Sequence, residues 1–195
     1  MTLTTPNLLT LIRIGTVPIL VVLLMFPGPA PSAVAAAVFF AATITDFLDG
    51  YIARNYGSDS TVGKFLDPLA DKLVVTAALI MLSGMSRSPR IPAWIVVVLV
   101  SREILVTGLR AVAAAEGRII AAEELGKYKM VLQAMAVQGL LIHYPYFDVD
   151  FFAAGLFLLW IALVLSIWSG VDYFIKGFRL LSFRERTQPL KRAVM

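Results

Sequence analysis

Long apolar segments separated by short polar links make up most of this chain. There are six, each close to the roughly 20 residues that an α-helix needs to cross the hydrocarbon core of a bilayer. They cover residues 8–26, 32–54, 65–82, 91–115, 125–142 and 151–175. These continuous runs lack the alternation of apolar and polar positions that lipid-facing barrel strands require. The pattern therefore predicts an all-α, polytopic integral membrane protein with six transmembrane helices.

The overall composition supports this prediction. Of the 195 residues, 59% are hydrophobic and 15% are charged, and the mean hydropathy is +0.83. Soluble domains have roughly 45–50% apolar and about 25% charged residues, so a soluble protein of this composition could not bury its surplus. The length suits a single transmembrane domain over residues 1–195. The absence of cysteine excludes disulfides, a thiol nucleophile and a zinc–thiolate site.

The distribution of basic residues predicts the orientation in the membrane. Lys and Arg near the segment ends are concentrated in the second-to-third and fourth-to-fifth links and in a tail, 176–195, which carries six of the 17 basic residues. The positive-inside rule places these links and both termini on the cytoplasmic side. A basic tail beside a span favours attraction to anionic lipid headgroups, so we expect no nucleic-acid partner.

Four carboxylates interrupt the apolar pattern. Asp46 and Asp49 lie near the end of the second segment, and Asp67 and Asp71 near the start of the third. On a helix each pair falls on one side, one turn apart, and a tight hairpin between the segments would bring the two pairs together. Because intramembrane carboxylates are costly and four neighbouring ones cannot all ionise without compensation, the pattern indicates a site for one or two hard divalent cations.

Two other interpretations of the carboxylates stay open at this point. Lys64, Lys72 and Arg54 could neutralise them in a purely structural network, although buried ion pairs rarely gather four acids for stability alone. A cation transporter could also use them as an ion or proton site, and their spacing alone does not exclude this.

The spacing of the acids resembles a family signature. The eight fixed residues are Asp46, Asp49, Gly50, Ala53, Arg54, Gly63, Asp67 and Asp71, and all match the CDP-alcohol phosphatidyltransferase family. The resemblance implies the fold of that family and an enzyme that transfers a phosphatidyl group from CDP-diacylglycerol to an alcohol, releasing CMP. It implies two divalent ions, Mg²⁺ or Mn²⁺, held by the four aspartates, with Asp71 also acting as the base.

The resemblance also implies which residues bind the donor. The small residues Gly50, Ala53 and Gly63 would leave room for CDP-diacylglycerol, and Arg54 would meet a phosphate at the rim. Two further candidates for the nucleotide, Asn7 and Thr10, lie in the first segment; the alternative is that they cap the first helix.

Basic residues on the fourth and fifth segments indicate the acceptor. These candidates are Arg102, Arg110, Lys127 and Lys129. Cations within spans are costly unless they line a polar cavity, and a cluster of them suits a doubly charged phosphate. Glu103 could orient one of the arginines. The alternative for the lysines is snorkelling at a helix end.

The segments around these residues resemble bacterial family members whose acceptor is sn-glycerol 3-phosphate. The resemblance implies phosphatidylglycerophosphate as product, the bacterial inner (cytoplasmic) membrane as location and a homodimer. Other acceptors of the family, phosphatidylglycerol, inositol phosphate and serine, stay open. We interpret Arg13 as a snorkelling or structural residue, and Tyr173 as a residue of either the interface belt or the acceptor cavity.

Overall fold

The structure is a computed structural model that describes the backbone of residues 5–56, 61–85, 88–115, 117 and 124–192. Side chains are described for residues 12–45, 72–85, 88–115, 117 and 126–177. Within this part the chain forms α1 (Thr5–Met25), α2 (Pro29–Tyr56), α3 (Thr61–Gly84), α4 (Ala93–Ala115), α5 (Glu124–Ile142) and α6 (Phe151–Arg192). The only β-structure described is an isolated bridge between Tyr146 and Val149. The prediction of an all-α fold is confirmed.

Local sequence signals explain where helices begin and end. Between α1 and α2, Gly28 has a φ of +138°, a conformation that side chains with a Cβ rarely adopt. Pro29 then opens α2, where its fixed φ suits a first helical position and its missing N–H costs nothing. The end of α6 was not predicted: the helix continues beyond residue 175 to Arg192, because the basic tail is rich in Arg, Leu and Lys, which favour helix.

Among the described residues, helix α5 and helix α6 form the most extensive helix pair. Gly139 and Gly155 meet where the helices cross, and a Cβ on Gly155 would lie 2.7 Å from the backbone nitrogen of Leu140. Small residues allow backbones to approach this closely. Helix α1 packs on α2 and α3, α2 packs on α5, and α4 packs on α6. The main core cluster is drawn from all six helices and includes Leu20, Phe39, Leu79, Ile95, Leu140 and Leu159.

Much of the outer surface is apolar. One described stretch, Phe151–Gly177 of α6, is long and apolar enough to cross a membrane, with a mean hydropathy of 2.4. Only 33% of its most apolar window is buried within the fold, so most of this surface faces outward, as expected for contact with lipid. The apolar stretches described in α1–α3 are shorter: Ile12–Met25, Pro29–Thr45 and Lys72–Gly84. The six spans therefore stay a prediction.

Candidate active site

The residues of the signature lie on α2 and α3. Asp46 and Asp49 are three residues apart on the helical backbone of α2, and Asp67 and Asp71 are four residues apart on α3. Each pair therefore lies one turn apart on its helix, as predicted. The side chains of all four aspartates are outside the described residues, and the convergence of the two pairs stays a prediction.

The predicted donor-site residues are described only by their backbone. They lie on α1, α2 and α3, and they are Asn7, Thr10, Gly50, Ala53, Arg54 and Gly63. Their helical placement agrees with the segments predicted from the sequence. Their side chains are likewise outside the described residues.

The described parts of all six helices contribute to a cavity of about 290 Å³. All four predicted acceptor-site residues line it, namely Arg102, Arg110, Lys127 and Lys129. Together with Arg13, Lys72 and Glu103, the lining holds six basic residues and one acidic residue, a formal excess of five positive charges. Such a cavity explains how cations are accommodated among apolar helices, and its charge suits an anionic ligand.

Glu103 is the centre of an ion-pair cluster in this cavity. Its Oε1 accepts hydrogen bonds from Arg102 Nη1 at 2.9 Å and from Lys129 Nζ. Its Oε2 lies 3.4 Å from Lys72 Nζ, and that ammonium also donates to Thr107 Oγ1. One carboxylate therefore joins three cations carried by α3, α4 and α5.

Arg102 is also attached to α6. Its Nε donates to the carbonyl oxygen of Ser166 at 3.2 Å, and its Nη2 donates to Ser169 Oγ at 2.7 Å. The neighbouring Gly170 makes room for the arginine, because a Cβ there would lie 3.1 Å from Arg102 Cγ. The guanidinium is thus held on one side by α6 and on the other by Glu103.

Arg110 and Lys127 differ from the clustered cations. Both side chains are exposed, and within the described residues neither forms an ion pair or hydrogen bond. Lys129 lies on the same helix as Lys127 but is only 5% exposed, so it does not snorkel. The four predicted residues therefore divide into two held by protein contacts and two whose charge is available to a ligand.

The cavity also contains Arg13, Gln133 and Tyr173, of which the sequence analysis offered only Tyr173, as one of two alternatives, for the acceptor cavity. Arg13 is 7% exposed and lines the cavity, so snorkelling does not describe it. Tyr173, 5% exposed, also faces the cavity rather than an interface belt. Gln133 lies one helical turn after Lys129 and also lines the cavity. Its position i+4 from that lysine, within a segment that resembles the family, was the sequence signal for it.

The donor set suits a divalent metal, although the described side chains contain no cluster of three or more metal-ligating residues. The four aspartates supply hard carboxylate oxygens, which Mg²⁺ and Mn²⁺ prefer. Lys72, which follows Asp71 in the sequence, forms an ion pair with Glu103.

The described fold is all-helical, its outer surface is largely apolar, and a cationic cavity lies among its helices. These features are typical of proteins that bind anionic ligands at a membrane. The sequence model of one family, described as CDP-alcohol phosphatidyltransferase, matches residues 3–168. The chain belongs to this family, and the resemblance drawn from the signature is confirmed. The family is membrane-associated and generally uses a divalent metal.

Several relatives match over most of their length. The CDP-diacylglycerol–glycerol-3-phosphate 3-phosphatidyltransferase of Bacillus subtilis is 40% identical over 188 residues, covering 90% of this chain and 96% of the relative. The Rickettsia bellii protein of the same name is 37% identical, covering 87% and 92%. A probable phosphatidylglycerophosphate synthase of Mycobacterium tuberculosis is 38% identical, covering 89% and 81%.

Proposed function

We propose that this protein transfers the phosphatidyl group of CDP-diacylglycerol to sn-glycerol 3-phosphate, giving phosphatidylglycerophosphate and CMP. The observation that carries the proposal is the gathering of Arg102, Arg110, Lys127 and Lys129 around one cavity with excess positive charge. Serine is a far less anionic acceptor than a phosphate dianion and would leave this charge uncompensated. The names of the relatives support the same reaction.

The acceptor phosphate binds at the open cations of the cavity. Arg110 and Lys127 offer exposed donors without protein partners among the described residues, and an arginine can bind two phosphate oxygens in parallel. Arg102 and Lys129 stand behind them, fixed by Glu103. The phosphate thereby holds the acceptor hydroxyl toward α3, which carries Asp71.

The donor binds at the α2–α3 end of the site. Gly50, Ala53 and Gly63 give the cytidine diphosphate room against the backbone, and Arg54 binds a phosphate at the rim. Asn7 and Thr10 contact the nucleotide from α1. The acyl chains stay in the bilayer, which explains why an enzyme for this reaction needs outward apolar helices such as α6.

Asp46, Asp49, Asp67 and Asp71 would hold two Mg²⁺ or Mn²⁺ ions, which supply neutralisation of the pyrophosphate and of the charge that develops on CMP. Asp71 accepts the proton of the acceptor hydroxyl. The oxygen then attacks the phosphorus that bears the diacylglycerol. A phosphorus–oxygen bond to the acceptor forms as the bond to CMP breaks.

The proposal also includes the membrane topology and the assembly of the protein. It has six spans, an active site on the cytoplasmic side of the bacterial inner membrane, and a homodimeric assembly. The clustering of basic residues in two links and the tail supports this orientation. The exposed apolar surface of the described helices supports burial in lipid.

An acceptor assay tests the reaction. Purified protein in detergent, labelled CDP-diacylglycerol and Mg²⁺ would be incubated with glycerol 3-phosphate, phosphatidylglycerol, inositol phosphate or serine. We expect CMP release with glycerol 3-phosphate; turnover with another alcohol and none with glycerol 3-phosphate would overturn the choice of acceptor. A transporter would instead move cations in proteoliposomes and release no CMP.

The assignment of the base has its own test. Asp71→Asn should abolish turnover, and full activity of this variant would refute the assignment. Asp172→Asn is the matched control, because Asp172 pairs with Lys176 at 2.7 Å outside the cavity lining.

A further inference from the structure

We propose that Glu103 is a positioning residue, which fixes the cations of the acceptor site in the geometry that binds a phosphate. The inference rests on the proposed function, since the phosphate in question is that of the acceptor. The carboxylate of Glu103 is negatively charged, as is the acceptor phosphate, so the two groups repel each other. The presence of Glu103 in a phosphate site therefore requires a physical explanation.

The contacts of Glu103 with three cations explain its presence. Its two oxygens contact the charged ends of Arg102, Lys129 and Lys72. The side chains of Glu103, Arg102 and Lys129 are only 15%, 11% and 6% exposed, whereas that of Lys72 is 38% exposed. The two buried cations and the partly exposed third would repel one another, and the shared carboxylate offsets this repulsion.

The carboxylate also connects helices across the cavity. Helix α4 and helix α5 each pack on α6, whereas the cavity lies between their charged residues. Glu103 on α4 bridges this space to Lys129 on α5 and to Lys72 on α3. Arg102 extends the connection to Ser169 on α6. One carboxylate therefore links cations that separate helices carry.

Two roles for Glu103 predict opposite effects on phosphate binding. If Glu103 only reduced the charge of the cavity, its removal would raise the attraction for a dianion, and the acceptor would bind more tightly. If it positions the cations, its removal lets them separate, and the acceptor binds more weakly. The direction of the change therefore distinguishes the two roles.

Glu103→Gln, which keeps the shape but removes the charge, tests this directly. We expect the KM for glycerol 3-phosphate to rise about tenfold or more, because the loss of a charge-assisted hydrogen bond typically changes affinity by about tenfold or more. The KM for CDP-diacylglycerol should stay within about twofold of wild type, as should both constants of the control Asp172→Asn. An unchanged or lower KM for the acceptor, or an equal rise for both substrates, would overturn the proposal.

Glu103→Asp provides a second variant with an independent expectation. It keeps the negative charge but is one methylene shorter, so it cannot reach Arg102, Lys129 and Lys72 together. Charge reduction predicts wild-type binding of the acceptor, whereas positioning predicts weaker binding. Wild-type KM in this variant would therefore contradict the positioning role, even if the glutamine variant did not fold.

Direct binding separates this inference from the proposed function. Titration calorimetry of glycerol 3-phosphate, and of inorganic phosphate, into the detergent-solubilised protein measures Kd without turnover. Failure of the wild type to use glycerol 3-phosphate would defeat the proposed reaction, and the Kd of inorganic phosphate would still report on Glu103. Wild-type affinity for both ligands in Glu103→Gln would defeat the positioning role alone.

Discussion

Gly155→Ala is expected to destabilise the protein at the crossing of α5 and α6. A Cβ at this position would lie 2.7 Å from the backbone nitrogen of Leu140 and 2.9 Å from the carbonyl oxygen of Ala136. Both atoms belong to the backbone of the opposite helix, so neither can rotate away as the end of a side chain could. Relief requires the two helices to separate by several tenths of an ångström.

The size of the effect follows from two opposing contributions. Inserting a methyl group into a tightly packed contact costs typically about 1–3 kcal/mol. Replacing glycine by alanine within a helix returns roughly 0.5–1 kcal/mol. Because the contacted atoms are backbone, the cost lies in the upper part of that range, at about 2–3 kcal/mol, and the net loss of stability is about 1–2.5 kcal/mol. For a chain of this length, with about 2–4 °C per kcal/mol, Tm should fall by about 2–10 °C.

Thermal unfolding in detergent, followed by far-ultraviolet circular dichroism, measures this change. The matched control is Gly108→Ala on α4, where a Cβ would have no neighbour within 4 Å. The control should leave Tm unchanged or slightly higher. If Gly155→Ala unfolded at or above the temperature of the control, the close approach of α5 and α6 would be wrong.

Three further predictions concern the site. Arg110→Gln should raise the KM for glycerol 3-phosphate about tenfold or more, because a charged hydrogen bond is worth about 1.5–3 kcal/mol. Steady-state kinetics at saturating CDP-diacylglycerol would measure this change, and an unchanged KM would show that Arg110 does not bind the acceptor. Ser169→Ala deletes the 2.7 Å bond to Arg102 but leaves the bond to Glu103, so the same KM should rise by less than in Arg110→Gln; a larger rise would mean that α6, rather than Glu103, holds the arginine. Chelation by EDTA should stop CMP release and added Mg²⁺ or Mn²⁺ should restore it, whereas full activity in EDTA would contradict the metal assignment of the aspartates.

The apolar pattern predicts the positions of the helices well. Each helix needs a continuous run of apolar residues, because its side chains face either the core of the fold or the lipid. The predicted segment 125–142 and α5 (Glu124–Ile142) differ by one residue at the start. The predicted sixth span, 151–175, agrees with the apolar stretch Phe151–Gly177, but the helix that contains it reaches Arg192. The prediction ended this segment where hydrophobicity ended, but the hydrogen bonds of a helix continue as long as the residues favour helix, whether or not they are apolar.

Part of the cationic lining of the cavity could be predicted from the sequence. Arg102 and Lys129 interrupt apolar helices, and the cost of burying such charges indicates a polar cavity from sequence alone. Arg13 interrupts α1 in the same way, yet a long side chain near a helix end can equally snorkel. Only the packing of α1 on α3 places Arg13 beside the cavity, with 7% of its surface exposed, and that contact joins residues far apart in the chain.

The cluster around Glu103 also clarifies how one fold can combine a shared reaction with different acceptors. Asp71 and Lys72 are consecutive on α3, so their Cα atoms lie about 3.8 Å apart and they occupy positions about 100° apart around the helix. Asp71 belongs to the family signature, whereas Lys72 pairs with Glu103. Helix α3 therefore carries residues of both the signature and the cationic cavity. The remaining cations come from α4 and α5, with Arg102 held by Ser169 of α6. Under the proposed function, substitutions on α4, α5 and α6 would change the lining of the acceptor cavity, while the signature residues of the transfer reaction lie on α2 and α3.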